Sequence, residues 1–285
     1  MLPQLANVYN PTRVYPNSQW LASPKLDGIR CLYYSPERGL TSRSQKLRYV
    51  GFEEIEQICE LLRISSNLSF LDGELYISGE KFDIISGIVR DTKDYDVAAK
   101  ARVEFRIFAV GSIDAPLMPA GLMYDLMRQA LPGTGKVSYL PHSYIPNTPS
   151  AVQAETEAVR VSGRSLRGGT PSDEGIMLRN PTSVYAGGRS NNLLKVKNFV
   201  KSTFVIVGFG KGTGKFANSL GNLLVRGMID GMVVMGKVGT GFNDEERLDI
   251  WANQSSYLGR DIEVIYLGIT PARRSLRHPI FSRFV

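Results

Sequence analysis

Lys25 stands in the stretch Ser23-Pro24-Lys25-Leu26-Asp27-Gly28-Ile29-Arg30-Cys31, between a proline and a turn-forming Asp-Gly pair, with an apolar run behind it. Lysine is costly to bury and usually ends in water. Two readings are open: a hairpin opening with a solvated lysine, or a lysine nucleophile on a stiff loop with Arg30 on the adjoining strand. In "FLDGELYI", alternation sets Asp72, Glu74 and Tyr76 on one side of a strand and Leu71, Leu75 and Ile77 on the other. Two carboxylates beside apolar packing suit a metal or a ribose hydroxyl, and equally a solvated face. In "NNLLKVKNF", Lys195 and Lys197 share a face, which suits phosphate oxygens or solvent. Glu174 stands where the strand "GIML" begins, and Gly175 permits close backbone approach. In "VEFRIFAVGS", Phe108 is core by default or a platform on which a base stacks.

These residues need a scaffold, and the composition bounds it. The 285 residues suffice for one large domain or two modest ones, and a hydrophobic content of 43% is ample for a core. With 28 glycines and 15 prolines, a turn-rich, strand-rich chain is expected. The charge balance, 34 − 27 = +7, favours an anionic partner. Two cysteines without a CxxC pattern argue against a disulfide framework or a cysteine-rich zinc site, and His142 and His278 are too far apart in sequence for a His-rich metal site. The first twenty residues lack a signal-peptide pattern, and no run of 18 apolar residues exists. A soluble, cytoplasmic protein with no membrane contact, monomeric, is the expectation.

Strand patterns are read at Ile29–Tyr34, Phe70–Ile77, Val103–Val110, Gly175–Leu178, Asn192–Val196, Thr203–Phe209, Leu223–Arg226, Met232–Val238 and Ile262–Leu267. Helical periodicity marks "GFEEIEQICELLRIS", "AGLMYDLMRQAL", "SAVQAETEAVRVSGRSLRG" and "NDEERLDIWANQ", the last capped by Asn243 or Asp244. Strands alternate with helices up to a boundary near 198–202. Beyond it, short strands, glycine turns and one helix suit a small barrel of the oligonucleotide-binding type. The expected domains are therefore 1–199 and 200–285. The glycine-rich "GFGKGTGKFANSLG" is not a Walker A motif, because Phe209 and Phe216 occupy positions that the motif reserves. Lys211 and Lys215 in it read as contacts to DNA phosphates or as a flexible hairpin tip. Arg273, Arg274, Arg277 and Arg283 make a basic C-terminus with a similar reading.

Taken in order, these elements resemble the ATP-dependent DNA ligases of the lysine nucleotidyltransferase superfamily. The K-x-D-G-x-R motif is met by Lys25, Asp27, Gly28 and Arg30; an S-R segment by Ser42-Arg43-Ser44; D-G-E by Asp72-Gly73-Glu74. The aromatic strand element is "FRIFAV" with Phe108, the E-G element is Glu174-Gly175, and K-x-K is Lys195 and Lys197. The tail, "GKVGTGFNDEERLDIW" and then "SLRHPIFSRF", is similar to the barrel of small viral and bacterial members. Ser23 stands where many relatives have a glutamate that reads adenine's amino group, and Ala109 where an aspartate is common.

The resemblance implies an α+β fold: a nucleotidyltransferase domain, ATP-grasp-like, of antiparallel sheets with flanking helices, followed by an OB-fold β-barrel, in the minimal architecture. It implies ATP and Mg²⁺ as cofactors and nicked duplex DNA as partner, in replication or repair. Lys25 would attack the α-phosphate. Only about one free lysine in a few thousand is neutral at pH 7. Surrounding cations, among them Mg²⁺, Arg30, Lys195 and Lys197, would favour the neutral amine. The resemblance further gives Glu74 and Arg30 to the ribose, Phe108 to adenine, and Arg43, Lys195 and Lys197 to the nucleotide. It gives Glu174 and Asp72 to the metal, and Asp27 to orienting Lys25 or the reacting end of the nick. An mRNA capping guanylyltransferase, an RNA ligase and a non-enzymatic barrel protein are the rival readings.

Overall fold

The computed structural model describes residues 2–115, 117–162, 174–197, 200–270 and 274–285, and the chain divides into two compact units, Met1–Val196 and Lys197–Val285. The first begins with β1 (Gln4–Val8), β2 (Gln19–Pro24), β3 (Ile29–Tyr33), β4 (Leu40–Ser42), α1 (Glu53–Ser65), β5 (Leu68–Tyr76), α2 (Phe82–Arg90) and α3 (Val97–Ala101). It continues with β6 (Glu104–Ser112), α4 (Ala120–Ala130), β7 (Val137–Tyr139), β8 (Ser143–Pro146), α5 (Pro149–Ser162), β9 (Gly175–Arg179) and β10 (Gly188–Lys197).

These strands form two five-stranded sheets, ordered β1-β10-β9-β2-β8 and β4-β3-β5-β6-β7. Pairing is mainly antiparallel, as expected, but β1 runs parallel to β10 and β6 parallel to β7. Because successive side chains of a strand point to opposite faces, each sheet has one face for a core and one for something else. In the first sheet, Trp20 and Ala22 of β2, Ile176 and Leu178 of β9, and Leu194 of β10 pack with Val152 and Val159 of α5. In the second, Ile29, Cys31 and Tyr33 of β3, Leu71 and Leu75 of β5, and Phe105, Ile107 and Ala109 of β6 share a core with Ile55 of α1, Ile85 of α2 and Met123 of α4. The residues between them, Leu21, Ser23, Met177, Arg179 and Lys195 in one sheet and Arg30, Glu74 and Phe108 in the other, line a common cavity.

The second unit contains β11 (Val200–Lys211), β12 (Leu220–Ile229), β13 (Met232–Val238), α6 (Asp244–Ala252), α7 (Gln254–Tyr257), β14 (Asp261–Tyr266), β15 (Gly268–Thr270), β16 (Ser275–Arg277) and β17 (Ile280–Phe284). Its seven-stranded sheet, ordered β15-β16-β13-β12-β11-β14-β17, curls until Ile280 bridges back to Thr240, just beyond β13, in the manner of an OB-fold barrel. Phe204, Ile206, Leu223, Val225, Val234 and Val264 fill it. Asn243 caps α6 with a full capping box, accepting from Glu246 N while the Glu246 carboxylate accepts from Asn243 N. Among the described residues no helix is long and apolar enough to cross a membrane.

The glycine-rich segment after β11 is tethered rather than loose. A short 3₁₀ turn, Gly214–Phe216, places Phe216 under the Arg247 guanidinium, 4.5 Å from carbon to ring centroid. Arg247 is 6% exposed and donates to Leu220 O (2.8 Å), Gly221 O (3.2 Å) and Gly239 O (2.7 Å). Replacing it with leucine leaves those carbonyls without a donor. We expect Arg247→Leu to cost about 3 kcal/mol of stability, read as a lower midpoint in urea, because buried acceptors lose their partners.

Candidate active site

The cavity between the inner faces of the two sheets of the first unit has a volume of about 230 Å³. That is several times the roughly 30 Å³ share of one water molecule. Its cationic lining consists of Lys25, Arg30, Arg43, Arg179, Arg189 and Lys195; the other polar side chains are Ser23, Glu74 and His142. Phe108 comes from the second sheet and Met177 from the first, and both are half-buried.

Lys25 follows the last residue of β2, and its backbone N donates to Gly175 O at 2.9 Å. The pairing Pro24↔Ile176 sets that register, so Glu174 lies beside Lys25 and its carboxylate accepts a hydrogen bond from Lys25 Nζ. Gly175 has φ +106°, a conformation that favours glycine and lets the chain turn from Glu174 into β9. The Lys25 side chain is 24% exposed and that of Glu174 13%, so the lysine is not a solvated surface group. Gly28 is also needed for space: a Cβ there would lie 2.5 Å from Leu75 O and 2.7 Å from Glu74 Cγ. The absence of a side chain lets the K-x-D-G turn pass directly over β5.

Arg30 and Glu74 are cross-strand partners on β3 and β5. Arg30 grips Asp72 with two bonds, Nε to Oδ1 at 2.9 Å and Nη2 to Oδ2 at 2.5 Å. Tyr185 donates to the same Oδ2 at 2.6 Å. Burial works against the charge on Arg30, but the attraction and hydrogen bonds of Asp72 outweigh it and hold the guanidinium above its ordinary range. Its guanidinium carbon lies 5.2 Å from the centroid of the Phe108 ring. Gln4 joins two arginines: its backbone O accepts from Arg30 Nη1 at 2.7 Å and its side-chain oxygen from Arg179 Nη1 at 2.5 Å. Arg179 is 5% exposed, and its Nε is buried with no hydrogen-bond partner among the described residues. Burial lowers the Arg179 pKa to about 10, with Arg30 acting in the same direction and Tyr185 and Asp72 opposing.

Of the residues singled out in the sequence, Lys25, Arg30, Arg43, Glu74, Phe108 and Lys195 line the cavity and Glu174 adjoins it through Lys25. The solvated-face reading of Glu74 is therefore set aside. Asp72 needs correcting as a metal ligand: it is 0% exposed, and its oxygens are engaged by Arg30 and Tyr185. It fixes Arg30 instead. Asp27 and Lys197 do not line the cavity, although Lys197 ends the strand that carries Lys195. Lys211, Arg274 and Lys215 lie exposed on the second unit; Lys215 pairs with Asp244 at 2.7 Å, and Arg277 is half-buried in β16. Arg273 lies outside the described residues. Met177, Arg179, His142 and Arg189 are lining residues that sequence reasoning missed. The first two were visible as the alternate positions of "GIMLR".

Residues 3–197 match the ATP dependent DNA ligase domain family, and residues 211–284 match the DNA ligase OB-like domain family. This chain belongs to the ATP-dependent DNA ligase family. The DNA ligase of Haemophilus influenzae is 26% identical over 260 residues, which cover 90% of this chain and 83% of that ligase. DNA ligase 2 of Methanosarcina mazei is 28% identical over 244 residues, 78% of this chain; the match spans only 41% of that protein, about two fifths of its length. Among solved structures, one from a study of Lig E DNA ligases and their minimal DNA-binding scaffold superposes with a TM-score of 0.70 at 24% identity, covering 99% of this chain and 98% of that one. A second, Pmar-Lig_Pre., reaches 0.79 at 22% identity, covering 99% and 67%. These likenesses establish the shared ligase fold.

Desolvation raises the Glu74 carboxyl from 4.5 to about 8, against the pull of Lys25 and Arg30. Unfolded, the group loses its proton near 4.5; folded, it keeps the proton up to about 8. The folded state then binds more protons than the unfolded one in this window, so stability falls as pH rises through it and is lowest above it. Glu74→Gln removes this dependence. Denaturation at a series of pH values should show the variant gaining about 2 kcal/mol on the wild type across that range, after allowance for partial exposure.

Proposed function

We propose that this chain is a nick-sealing DNA ligase that uses ATP and works through a lysyl-AMP and a DNA-adenylate. The observation that carries the reading is the Lys25 amine, held on Glu174 at the rim of a cavity whose polar lining is mostly cationic. Such a lining complements a triphosphate and the charge that builds on its oxygens during transfer.

An ammonium has no lone pair, so Nζ must shed a proton before it attacks. Glu174 already accepts from Nζ and is the group through which that proton can leave. Nζ then bonds to the α-phosphorus as the bond to pyrophosphate breaks. Next, a 5′-phosphate oxygen of the nick displaces Lys25 from that phosphorus. Finally the 3′-hydroxyl attacks the 5′-phosphate and AMP departs.

Lys195, Arg43 and, at the end of β10, Lys197 would meet the phosphates. Arg30, steadied by Asp72, and Glu74 would meet the ribose. Phe108 and Met177, on opposite walls, would hold the base between a ring face and a polarisable thioether. Asp27 would orient the reacting groups. For Mg²⁺, the donor set is a single carboxylate, Glu174; among the described residues there is no group of three or more His, Cys, Asp or Glu able to hold a metal. That fits an ion which keeps most of its water and is bound chiefly by substrate phosphates. Its chemistry there would be to neutralise phosphate charge.

Lys211, Lys215, Arg274, Arg277 and the undescribed Arg273 are proposed contacts to the duplex backbone. Cys31 and Cys59 are buried and outside any disulfide, which suits a reducing, cytoplasmic setting. A monomer is expected to suffice.

Incubation with α-labelled ATP and Mg²⁺ should leave a denaturation-resistant AMP adduct on the wild type and none on Lys25→Ala. The label should pass to nicked DNA, and a joined strand should follow. An equally labelled Lys25→Ala protein would remove the proposal. Lys211→Ala should weaken nicked-duplex binding and reduce the slope of log affinity against log salt by about one, as expected for one lost phosphate contact.

A further inference from the structure

His142 precedes β8 and lines the cavity. Its backbone is held by one hydroxyl: His142 N donates to Tyr124 OH at 3.0 Å, and Tyr124 OH donates to His142 O at 2.9 Å. The imidazole packs on the Tyr124 ring with centroids 4.8 Å apart, and Nδ1 lies 2.7 Å from Leu140 O. A carbonyl oxygen only accepts, so Nδ1 carries the proton and Nε2 presents a lone pair. Burial, reinforced by the charge of Arg179, lowers the ring's pKa to about 3 although the Leu140 carbonyl opposes it, and this keeps the ring neutral.

The inventory of the cavity makes that lone pair distinctive. Six of its nine polar side chains are lysines or arginines, which only donate. Glu74 retains its proton up to about 8, so near neutral pH it donates as well as accepts. Ser23 carries a hydroxyl, which also does both. Nε2 of His142 is thus an acceptor-only atom in a lining dominated by donors. The antiparallel register Ala22↔Ser143 brings Ser23 opposite His142 on the next rung. Ser23 is short and 4% exposed, and both residues line the cavity. Leu140 N donates to Ile107 O at 2.6 Å, so the segment that carries His142 runs beside Phe108.

We propose that His142 determines base choice: its Nε2 accepts a hydrogen bond from the exocyclic amine of adenine and disfavours a purine with a carbonyl oxygen at that edge. The assignment rests on the nucleotidyl-transfer reading above. It adds an acceptor on the segment that joins β7 to β8, beside the strand that carries Phe108.

The test deletes the amine from the ligand. Lysyl-nucleotide formation is measured with α-labelled ATP and with α-labelled purine riboside triphosphate, which lacks the 6-amino group. The wild type should prefer ATP by about 10- to 100-fold, the range for one lost hydrogen bond in a site built to make it. His142→Leu should bring that ratio to within about threefold of one, and His142→Gln, which keeps an acceptor, should retain most of it. A wild-type ratio near one, or an unchanged ratio in His142→Leu, overturns the assignment while leaving nucleotidyl transfer intact. No label on the wild type from either nucleotide overturns both. If His142→Leu loses its circular-dichroism signature of folding, the wild-type and His142→Gln ratios decide.

Discussion

The pocket depends on one short piece of antiparallel register, in which the end of β2 lies against the start of β9. The backbone bond from Lys25 to Gly175 brings together two segments separated by about 150 residues of chain, and with them an amine and a carboxylate. A one-residue slip would send each strand's core side chains into the cavity and the cavity's side chains into the core. Trp20, Ala22, Ile176 and Leu178 prevent it, because their burial against α5 is available in one register only. The packing of the outer face thus fixes the chemistry of the inner one.

Six cations line one cavity. Asp72 neutralises Arg30, and Glu174 pairs with Lys25, but Glu74 retains its proton through neutral pH, and the buried Arg179 is bound through the neutral oxygen of Gln4. Like charges in a partly dehydrated space repel, so an anion entering this cavity relieves an existing penalty as well as making new bonds. The charge of the cavity thereby suits an anion, and any anion that binds there should stabilise the folded unit by mass action.

Much of this was legible in the sequence because most of the reactive groups sit in short local patterns. Arg30, Glu74 and Lys195 follow strand alternation, Lys25 stands in a proline and Asp-Gly turn, and the helix cap at Asn243 is a sequence-local box. What alternation does not encode is depth. Asp72 and Glu74 share a strand face, yet Asp72 is sealed under Arg30 and Tyr185 while Glu74 reaches the cavity. Lys195 and Lys197 share a face too, but the strand runs past the cavity before Lys197. His142 gave no signal, since its meaning lies in a carbonyl two residues away and a tyrosine hydroxyl from α4. The β1 strand was missed because "QLANV" is short and of mixed polarity; its partner, β10, is nearly two hundred residues distant.

That parallel pairing of β1 with β10 has a consequence for how the protein is made. Gln4 pairs with Gly188 and Val8 with Lys195, so the first strand synthesised waits for the last strand of its unit. Until the ribosome has released that far end, Gln4 cannot be clamped in the sheet to brace Arg30 and Arg179, and the entropy of closing so long a loop delays the step further. A nascent chain cut short before β10 could still bury much of its helix-backed core. It would nonetheless lack one wall of its pocket, so the complete cavity would arrive late and all at once.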